Sequence, residues 1–160
     1  MEFNELEELD IDRVKTAEKV SSFLTKTFVH YLDKAGMHKT DLSSPQLDPT
    51  GVSSHGGNSA ESKMMLILDC ENKCMAIIKA IDNCRENINR GVRNKTILHG
   101  LYIQDLENWQ VQDRLQLSET AYYNKKQDAL CEFADRIEVW AYRFGTRIPD
   151  LHVYKKEETN

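Results

Sequence analysis

The amino-acid sequence predicts an all-α protein, in which a helical N-terminal part with a long heptad-patterned helix precedes a helix-turn-helix. Two observations carry this prediction. Apolar residues recur every three or four positions in three long segments of the 160-residue chain, which is the period of an amphipathic helix. No segment shows the alternation of apolar and polar residues that marks a half-buried strand.

The first segment, residues 1–35, combines an acidic end with an amphipathic helix. Residues 1–20 carry seven acidic and three basic side chains, whereas the rest of the chain is almost balanced. A helix is predicted from Asp12, with Gly36 as its stop. Its apolar positions are Ala17, Val20, Leu24, Phe28, Leu32 (or Tyr31) and Ala35. We interpret the acidic surface as an ordinary solvated face; the alternative is a surface for a partner protein or for RNA polymerase.

Residues 36–61 are predicted to be a flexible linker. They contain two of the three prolines and four of the seven glycines, and serine fills much of the remainder. The "HGGN" within this linker is similar to an oxyanion-hole loop, but the chain has no G-x-S-x-G turn to accompany it.

Residues 62–93 are predicted to form one long helix, from Ser62 to Arg90, ended by Gly91. Seven apolar residues alternate at spacings of three and four, which is an a/d stripe over three heptads. This seam consists of Ile67, Cys70, Cys74, Ile77, Ile81, Cys84 and Ile88. It packs either within one chain or across a homodimer. Cysteine on such a seam acts as a small hydrophobe, and no further residues complete a zinc site, so we expect no metal there.

Residues 94–147 are predicted to form a compact helical DNA-binding domain, followed by a polar tail over residues 148–160. Two short helices come first, "TILHGLY" from Thr96 and a second from Trp109 to Leu115. The inward positions of the second helix are predicted to be Trp109, Val111 (or Gln112) and Leu115.

A three-residue turn, Gln116-Leu117-Ser118, leads from the second short helix into a long one that runs to about Arg143. Ser118 is a suitable N-cap, and this arrangement is the outline of a helix-turn-helix. Leu117 would plug the turn. The predicted buried line of the long helix is Tyr122, Ala129, Phe133, Ile137, Trp140 and Phe144.

The outward face of this long helix has the chemistry needed to read DNA bases. In a DNA-binding helix-turn-helix the second helix offers its N-terminal residues to base edges in the major groove. Amides pair with adenine, carboxylates accept from cytosine, and hydroxyl groups reach bases or phosphates. The predicted base-reading residues are Glu119, Thr120, Tyr123, Asn124 and Gln127. The predicted phosphate-binding residues are Ser118, Lys125 and Lys126, with Lys126 on the same outward face.

Several function classes are disfavoured. The net charge is −5, and residues 94–147 contain eight acidic and seven basic side chains. The chain therefore has no strong positive field, which counts against binding to nucleic acid by charge alone. None of the five histidines lies near a nucleophile in the sequence or at the spacing of a metal-ligand motif. We therefore expect no enzyme, no metal and no cofactor. No apolar run approaches the roughly 20 residues of a membrane span. The acidic start does not resemble a signal peptide, so we expect a cytoplasmic protein with reduced thiols and no membrane partner.

Three blocks of sequence carry a family resemblance. They are "IDRVKTAEKVSSFL", "LSSPQLDPTGVSSHGGNSAESKMMLILDCENKCMAIIKAID" and "ILHGLYIQDLENWQVQDRLQLSETAYYNKKQDALCEFADRI". The chain resembles the ArpU-type transcriptional regulators of phages and prophages, whose recognition-helix pattern is close to "LSETAYYNKKQDALCEFA". The third block is also similar to the promoter-reading region 4 of sigma factors. Glu119 departs from the pattern, since such helices often place a basic residue there.

The resemblance implies a regulator of late packaging and lysis genes in a bacterial host. It implies binding to double-stranded promoter or operator DNA, and contact with host RNA polymerase. Two alternatives stay open from the sequence. One is a protein-interaction module, in which the seam and the acidic arm bind a host or phage protein and the helix-turn-helix is only structural. The other is an accessory protein that recognises phage DNA for packaging.

Overall fold

The computed structural model describes residues 10–43 and 59–156 and is predominantly helical, which confirms the predicted fold class. The helices are α1 (Arg13–Ser22), α2 (Phe28–Ala35), α3 (Ser59–Asp82), α4 (Asn94–Tyr102), α5 (Asn108–Leu115) and α6 (Glu119–Arg143). A π-helical turn, Phe23–Thr27, joins α1 to α2, and short 3-10 helices occupy Lys39–Ser43 and Ile88–Arg90. Most of the predicted acidic arm and linker lies outside the described residues. None of the described helices is long and apolar enough to cross a membrane.

The predicted N-terminal helix is confirmed over its full length, with one local change. The Asp12 side chain accepts a hydrogen bond from the backbone N–H of Lys15 at 3.0 Å and so caps α1. The helix widens at its π-helical turn and then continues as α2. Gly36 ends it in the left-handed region, with φ of +67°, where a residue without Cβ carries no steric penalty.

One hydrophobic core holds the N-terminal helices, α3 and the C-terminal half of α6 together. Helices α1 and α3 both pack on α6, and α2 packs on α3. Six large apolar side chains at the centre of this core are fully or almost fully buried. They are Leu24 and Phe28 from the N-terminal helical segment, Ile77 and Ile81 from α3, and Phe133 and Ile137 from α6.

Helix α3 ends at Asp82, so the predicted helix as far as Arg90 is wrong. A buried carboxylate causes the break. Glu132 on α6 accepts hydrogen bonds from the backbone N–H of Arg85 at 2.9 and 3.1 Å and from the Asn94 side chain at 2.8 Å. These bonds draw the chain away from the helix axis and towards α6.

A small hairpin that the sequence did not predict replaces the last turns of the expected helix. Strand β1 (Glu86–Asn87) pairs antiparallel with β2 (Val92–Arg93). Gly91 does stop a helix, as predicted, but the helix is the short 3-10 turn before it. The Glu86 carboxylate closes the unit by accepting hydrogen bonds from Thr96 and Arg93.

The centre of the predicted seam packs within the chain, but its two ends do not. Cys74, Ile77, Ile81 and Cys84 belong to the core, and Cys70 packs at its edge. Ile88 lies outside α3 and is 70% exposed, and Ile67 is 38% exposed, so neither is part of this packing. The reason is that α3 breaks before Ile88 and extends beyond α2 and α6 at its start.

All four cysteines carry free thiols, as expected for a protein with reduced cysteines. Burial raises the pKa of the Cys74 thiol and that of the Cys84 thiol to about 12. Both groups are therefore protonated at neutral pH and act as small apolar side chains.

The C-terminal tail crosses the bundle and pairs with the segment before α1. Ile11 and Tyr154 form an antiparallel bridge. The backbone N–H of Asp12 donates to the Val153 carbonyl at 2.7 Å, and the backbone N–H of Val153 donates to the Thr16 hydroxyl at 2.9 Å. Leu151 anchors the tail in the main core.

Candidate nucleic-acid interface

Helices α5 and α6 meet at a tight turn. Gln116 adopts the left-handed conformation, with φ of +54°, and its N–H donates to the Asp113 carbonyl at 3.0 Å. The N–H of Leu117 donates to the Gln112 carbonyl at 3.2 Å, and the Gln112 side chain donates back to the Leu117 carbonyl at 3.3 Å. The Ser118 hydroxyl then accepts from the N–H of Ala121 at 3.2 Å. The predicted turn and cap are confirmed, and together they fix the angle at which α6 leaves α5.

A second, smaller core supports this turn. Ile97 of α4, Val111 of α5 and Tyr122 of α6 are fully buried against one another. Four partly buried leucines surround them: Leu101, Leu106, Leu115 and Leu117. The helices α4, α5 and the start of α6 therefore form a three-helix unit in which Leu117 plugs the turn as predicted.

Helix α5 approaches α4 very closely. A Cβ placed on Gly100 would lie 3.1 Å from a methyl carbon of Val111. Only glycine therefore lets the two helices reach this distance without displacing the valine. Trp109 does not join this packing, because it is 67% exposed, so the expectation that it lies inward is wrong.

Most of the predicted base-reading residues share an exposed face at the start of α6. Glu119, Thr120 and Asn124 are exposed, and Tyr123 is 46% exposed. Thr120 and Asn124 lie four residues apart on the side of α6 opposite Tyr122, and Glu119 and Tyr123 lie beside them on the exposed flank of the helix. The predicted phosphate-binding Ser118 is also exposed at the first turn.

Gln127 is less accessible than its neighbours on the same face. It lies partly buried in a cleft of about 280 Å³ between α1 and α6, together with Val14, Glu18 and Tyr123. Helix α1 therefore limits the outward face of α6 to its first two turns.

The two lysines predicted to bind phosphate are turned into the fold. The Lys125 ammonium donates to the carbonyl of Gly91 in the hairpin at 2.5 Å. The Lys126 ammonium donates to the Asn108 side chain at 3.0 Å and lies 5.7 Å from the centre of the Tyr123 ring. Burial lowers the pKa of Lys126.

The placement of Lys126 on the outward face is therefore wrong, and the sequence held the signal for its position. It follows the buried Tyr122 by four residues, so the two side chains share one face of the helix. Asn108 serves both, since its side-chain oxygen also accepts from the Tyr122 hydroxyl at 2.7 Å. This half-buried polar group ties the start of α5 to α6.

Other cations lie on the far side of the three-helix unit, where sequence reasoning placed none. A cavity of about 620 Å³ separates α3 from α4 and α5, and Lys79, Lys95 and Arg114 line it with one carboxylate, Asp82. Lys95 and Arg114 are exposed at the ends of α4 and α5, so they add positive charge to a domain whose sequence is slightly acidic.

One of the five histidines has acidic neighbours in the fold that its sequence spacing did not reveal. Within the described chain, Glu138, Asp150 and His152 are close enough to share one metal ion. The sequence spacing did not reveal this group because the tail, which carries two of its members, meets α6 only through the tertiary fold.

The comparison with protein families adds one match. The family described as protein of unknown function (DUF1492) matches residues 42–134. The matched span takes in α3, the hairpin, α4, α5 and the first two thirds of α6. No curated protein and no solved structure matches the chain.

Proposed function

The chain belongs to the DUF1492 family, and we propose that it is a sequence-specific DNA-binding transcriptional regulator of phage or prophage late genes. In this proposal it binds double-stranded promoter DNA through the start of α6. The supporting observation is the exposed row of Glu119, Thr120, Tyr123 and Asn124 on a helix that a cap and a tight turn hold in place. The connection to late genes and to host RNA polymerase rests on the resemblance to the ArpU-type regulators.

The charges of the domain favour recognition of bases over non-specific attraction to phosphate. The ammonium groups of Lys125 and Lys126 both donate to oxygens of the protein, so neither reaches phosphate without giving up that bond. Phosphate contacts would come from the Ser118 hydroxyl and from the first backbone N–H groups of α6, which point away from the helix. Such a protein binds random DNA weakly and depends on a correct operator.

Asn124 is the residue on which recognition would depend most. Its exposed amide can donate to and accept from one adenine edge at the same time, which is worth roughly 1–3 kcal/mol of discrimination. Gln127 has the same chemistry, but helix α1 partly covers it. The first two turns of α6 would therefore contact about one half-site, which agrees with a dimer that binds two half-sites.

The experiment is a selection of bound fragments from a pool of random duplexes, followed by mobility shifts with the enriched sequence. Wild-type protein should enrich one sequence, and Asn124→Ala should bind it less tightly while binding random DNA as before. Asn83→Ala is the matched control, because Asn83 is exposed at the end of α3 and its side chain contacts only a carbonyl of its own helix. Failure to enrich any sequence, with folded protein at low salt, would exclude the proposed function.

A protein-interaction module is the second candidate, and one surface favours it. Four consecutive apolar residues at the start of α3 are exposed: Met64, Met65, Leu66 and Ile67. Apolar side chains gathered in this way are typical of surfaces that bind another protein. If the selection finds no DNA sequence, while Leu66→Glu abolishes capture of a protein that the wild type binds, the second candidate replaces the first.

A further inference from the structure

A nearly buried histidine faces three carboxylates where the C-terminal tail crosses α6. The His152 side chain is 7% exposed. Its Nδ1 atom lies 2.6 Å from an Asp150 oxygen and 3.3 Å from a Glu138 oxygen, and its Nε2 atom lies 2.6 Å from an Asp135 oxygen. Asp135 and Glu138 are three residues apart on one face of α6, so they reach the ring from the same side.

We infer that Glu138, Asp150 and His152 form a binding site for a divalent transition-metal ion such as zinc. One ligand atom from each lies within 4.8 Å of the others. Imidazole nitrogen and carboxylate oxygen are common zinc ligands at about 2.1 Å, which places neighbouring ligands of a tetrahedral site about 3.4 Å apart. The 3.3 Å between His152 Nδ1 and the Glu138 oxygen already matches that separation. The shorter separation between His152 and Asp150 needs to open by about 0.8 Å to admit the ion.

Asp135 acts as a positioning residue for this site. Histidines that bind metals almost always donate their other ring N–H to a carboxylate or carbonyl group. Here Asp135 accepts from Nε2–H, so loss of the proton that Nδ1 shares with Asp150 would leave the Nδ1 lone pair for the ion. The three protein ligands leave one position of a tetrahedral ion for water.

The charges of the group also call for a cation. Among the described residues, no lysine or arginine forms an ion pair with Asp135, Glu138 or Asp150, so three carboxylates share one imidazole. A divalent ion would neutralise this excess of negative charge and tie the tail to α6.

The test is calorimetric titration of zinc chloride into the full chain after treatment with a chelator. We expect one equivalent to bind. Asp135→Asn keeps all three ligands and should weaken the affinity by about 10–100-fold, the usual effect of losing a carboxylate that orients a histidine ligand. Asp113→Asn, the same change at an exposed carboxylate on α5, should leave the affinity unchanged.

Two ligand variants decide the outcome. His152→Gln and Glu138→Gln should each remove the bound equivalent and the visible absorption of cobalt(II) in the same site. Glu138 is exposed, so Glu138→Gln stays folded even if His152→Gln releases the tail, and a circular dichroism spectrum checks this. The inference is overturned if the wild type binds no stoichiometric zinc, or if Glu138→Gln binds zinc as the wild type does. The group would then be only a set of ion pairs that holds the tail on α6. The outcome does not depend on whether the protein binds DNA.

Discussion

The adjacent tyrosines 122 and 123 should respond in opposite ways to the same small change. Tyr122 is fully buried in the small core, and its hydroxyl donates to Asn108 at 2.7 Å. Tyr123 is 46% exposed on the proposed reading face. Replacing each by phenylalanine removes one hydroxyl and leaves the ring. The pair therefore separates a structural role from a role in binding.

The cost of Tyr122→Phe follows from its single hydrogen bond. A typical hydrogen bond within a protein contributes about 0.5–1.5 kcal/mol to stability. Asn108 keeps the Lys126 ammonium as a donor, so its oxygen is not left without a partner and no further penalty arises. We expect the free energy of unfolding to fall by about 1 kcal/mol, which lowers Tm by about 2–4 °C in a protein of this size.

Urea denaturation and mobility shifts on the selected operator measure the two effects. Tyr122→Phe should lower stability and leave operator binding unchanged wherever the protein is folded. Tyr123→Phe should leave stability unchanged and weaken operator binding if its hydroxyl reaches a base or phosphate. The reasoning is refuted if Tyr122→Phe weakens DNA binding without a loss of stability, because α6 would then present the opposite face.

Three further predictions concern a lysine, the thiols and an acid. Lys126→Met should change the free energy of unfolding by less than about 1 kcal/mol, since the lost hydrogen bond to Asn108 and the removed cost of burying the charge offset each other. The salt dependence of DNA binding should not change, and a slope reduced by one unit would show that Lys126 does contact phosphate. Iodoacetamide should label the half-buried Cys70 before Cys74 and Cys84, because pKa values of about 12 leave almost no thiolate at the two buried residues. Mass spectrometry of the labelled native protein measures the order of reaction, and equal labelling of all three cysteines would contradict this prediction. Burial tends to raise the pKa of Glu86, but hydrogen bonds from Thr96 and from Arg93 outweigh it and hold the pKa below its ordinary value. The contribution of Glu86 to stability is therefore present above the ordinary pKa of a glutamate and is lost as the pH falls through the folded-state pKa. Denaturation of Glu86→Gln between pH 3 and 7 should show a smaller dependence on pH than the wild type, and equal slopes would contradict the assignment.

The sequence predicted those elements that local pattern determines. The helix up to Ala35, the turn at Gln116 and the Ser118 cap all follow from residues that lie close together along the chain. The burial of Tyr122 follows from the same helical spacing. These features need no knowledge of the tertiary fold.

The errors arose where a distant residue decides the local structure. The end of α3 depends on Glu132, which lies 47 residues from the Arg85 N–H that it binds. The heptad pattern continues to Ile88 regardless, because periodicity carries no information about such a bond. The grouping of Glu138 with Asp150 and His152 was not visible in the sequence for the same reason, since the tail meets α6 only in the tertiary fold.

The pairing of the tail with the segment before α1 has a consequence for the order of folding. The partners of Asp12 and Thr16 in this pairing are separated from them by about 137 residues or more, so α1 is held at its N-terminal end only after almost the whole chain is available. The small core of the three-helix unit joins residues that all lie between Ile97 and Tyr122, and contacts of shorter sequence separation form earlier. During synthesis on a ribosome, α1 would therefore leave the exit tunnel before the other described helices, but its N-terminal end would be the last part to pair with its partners.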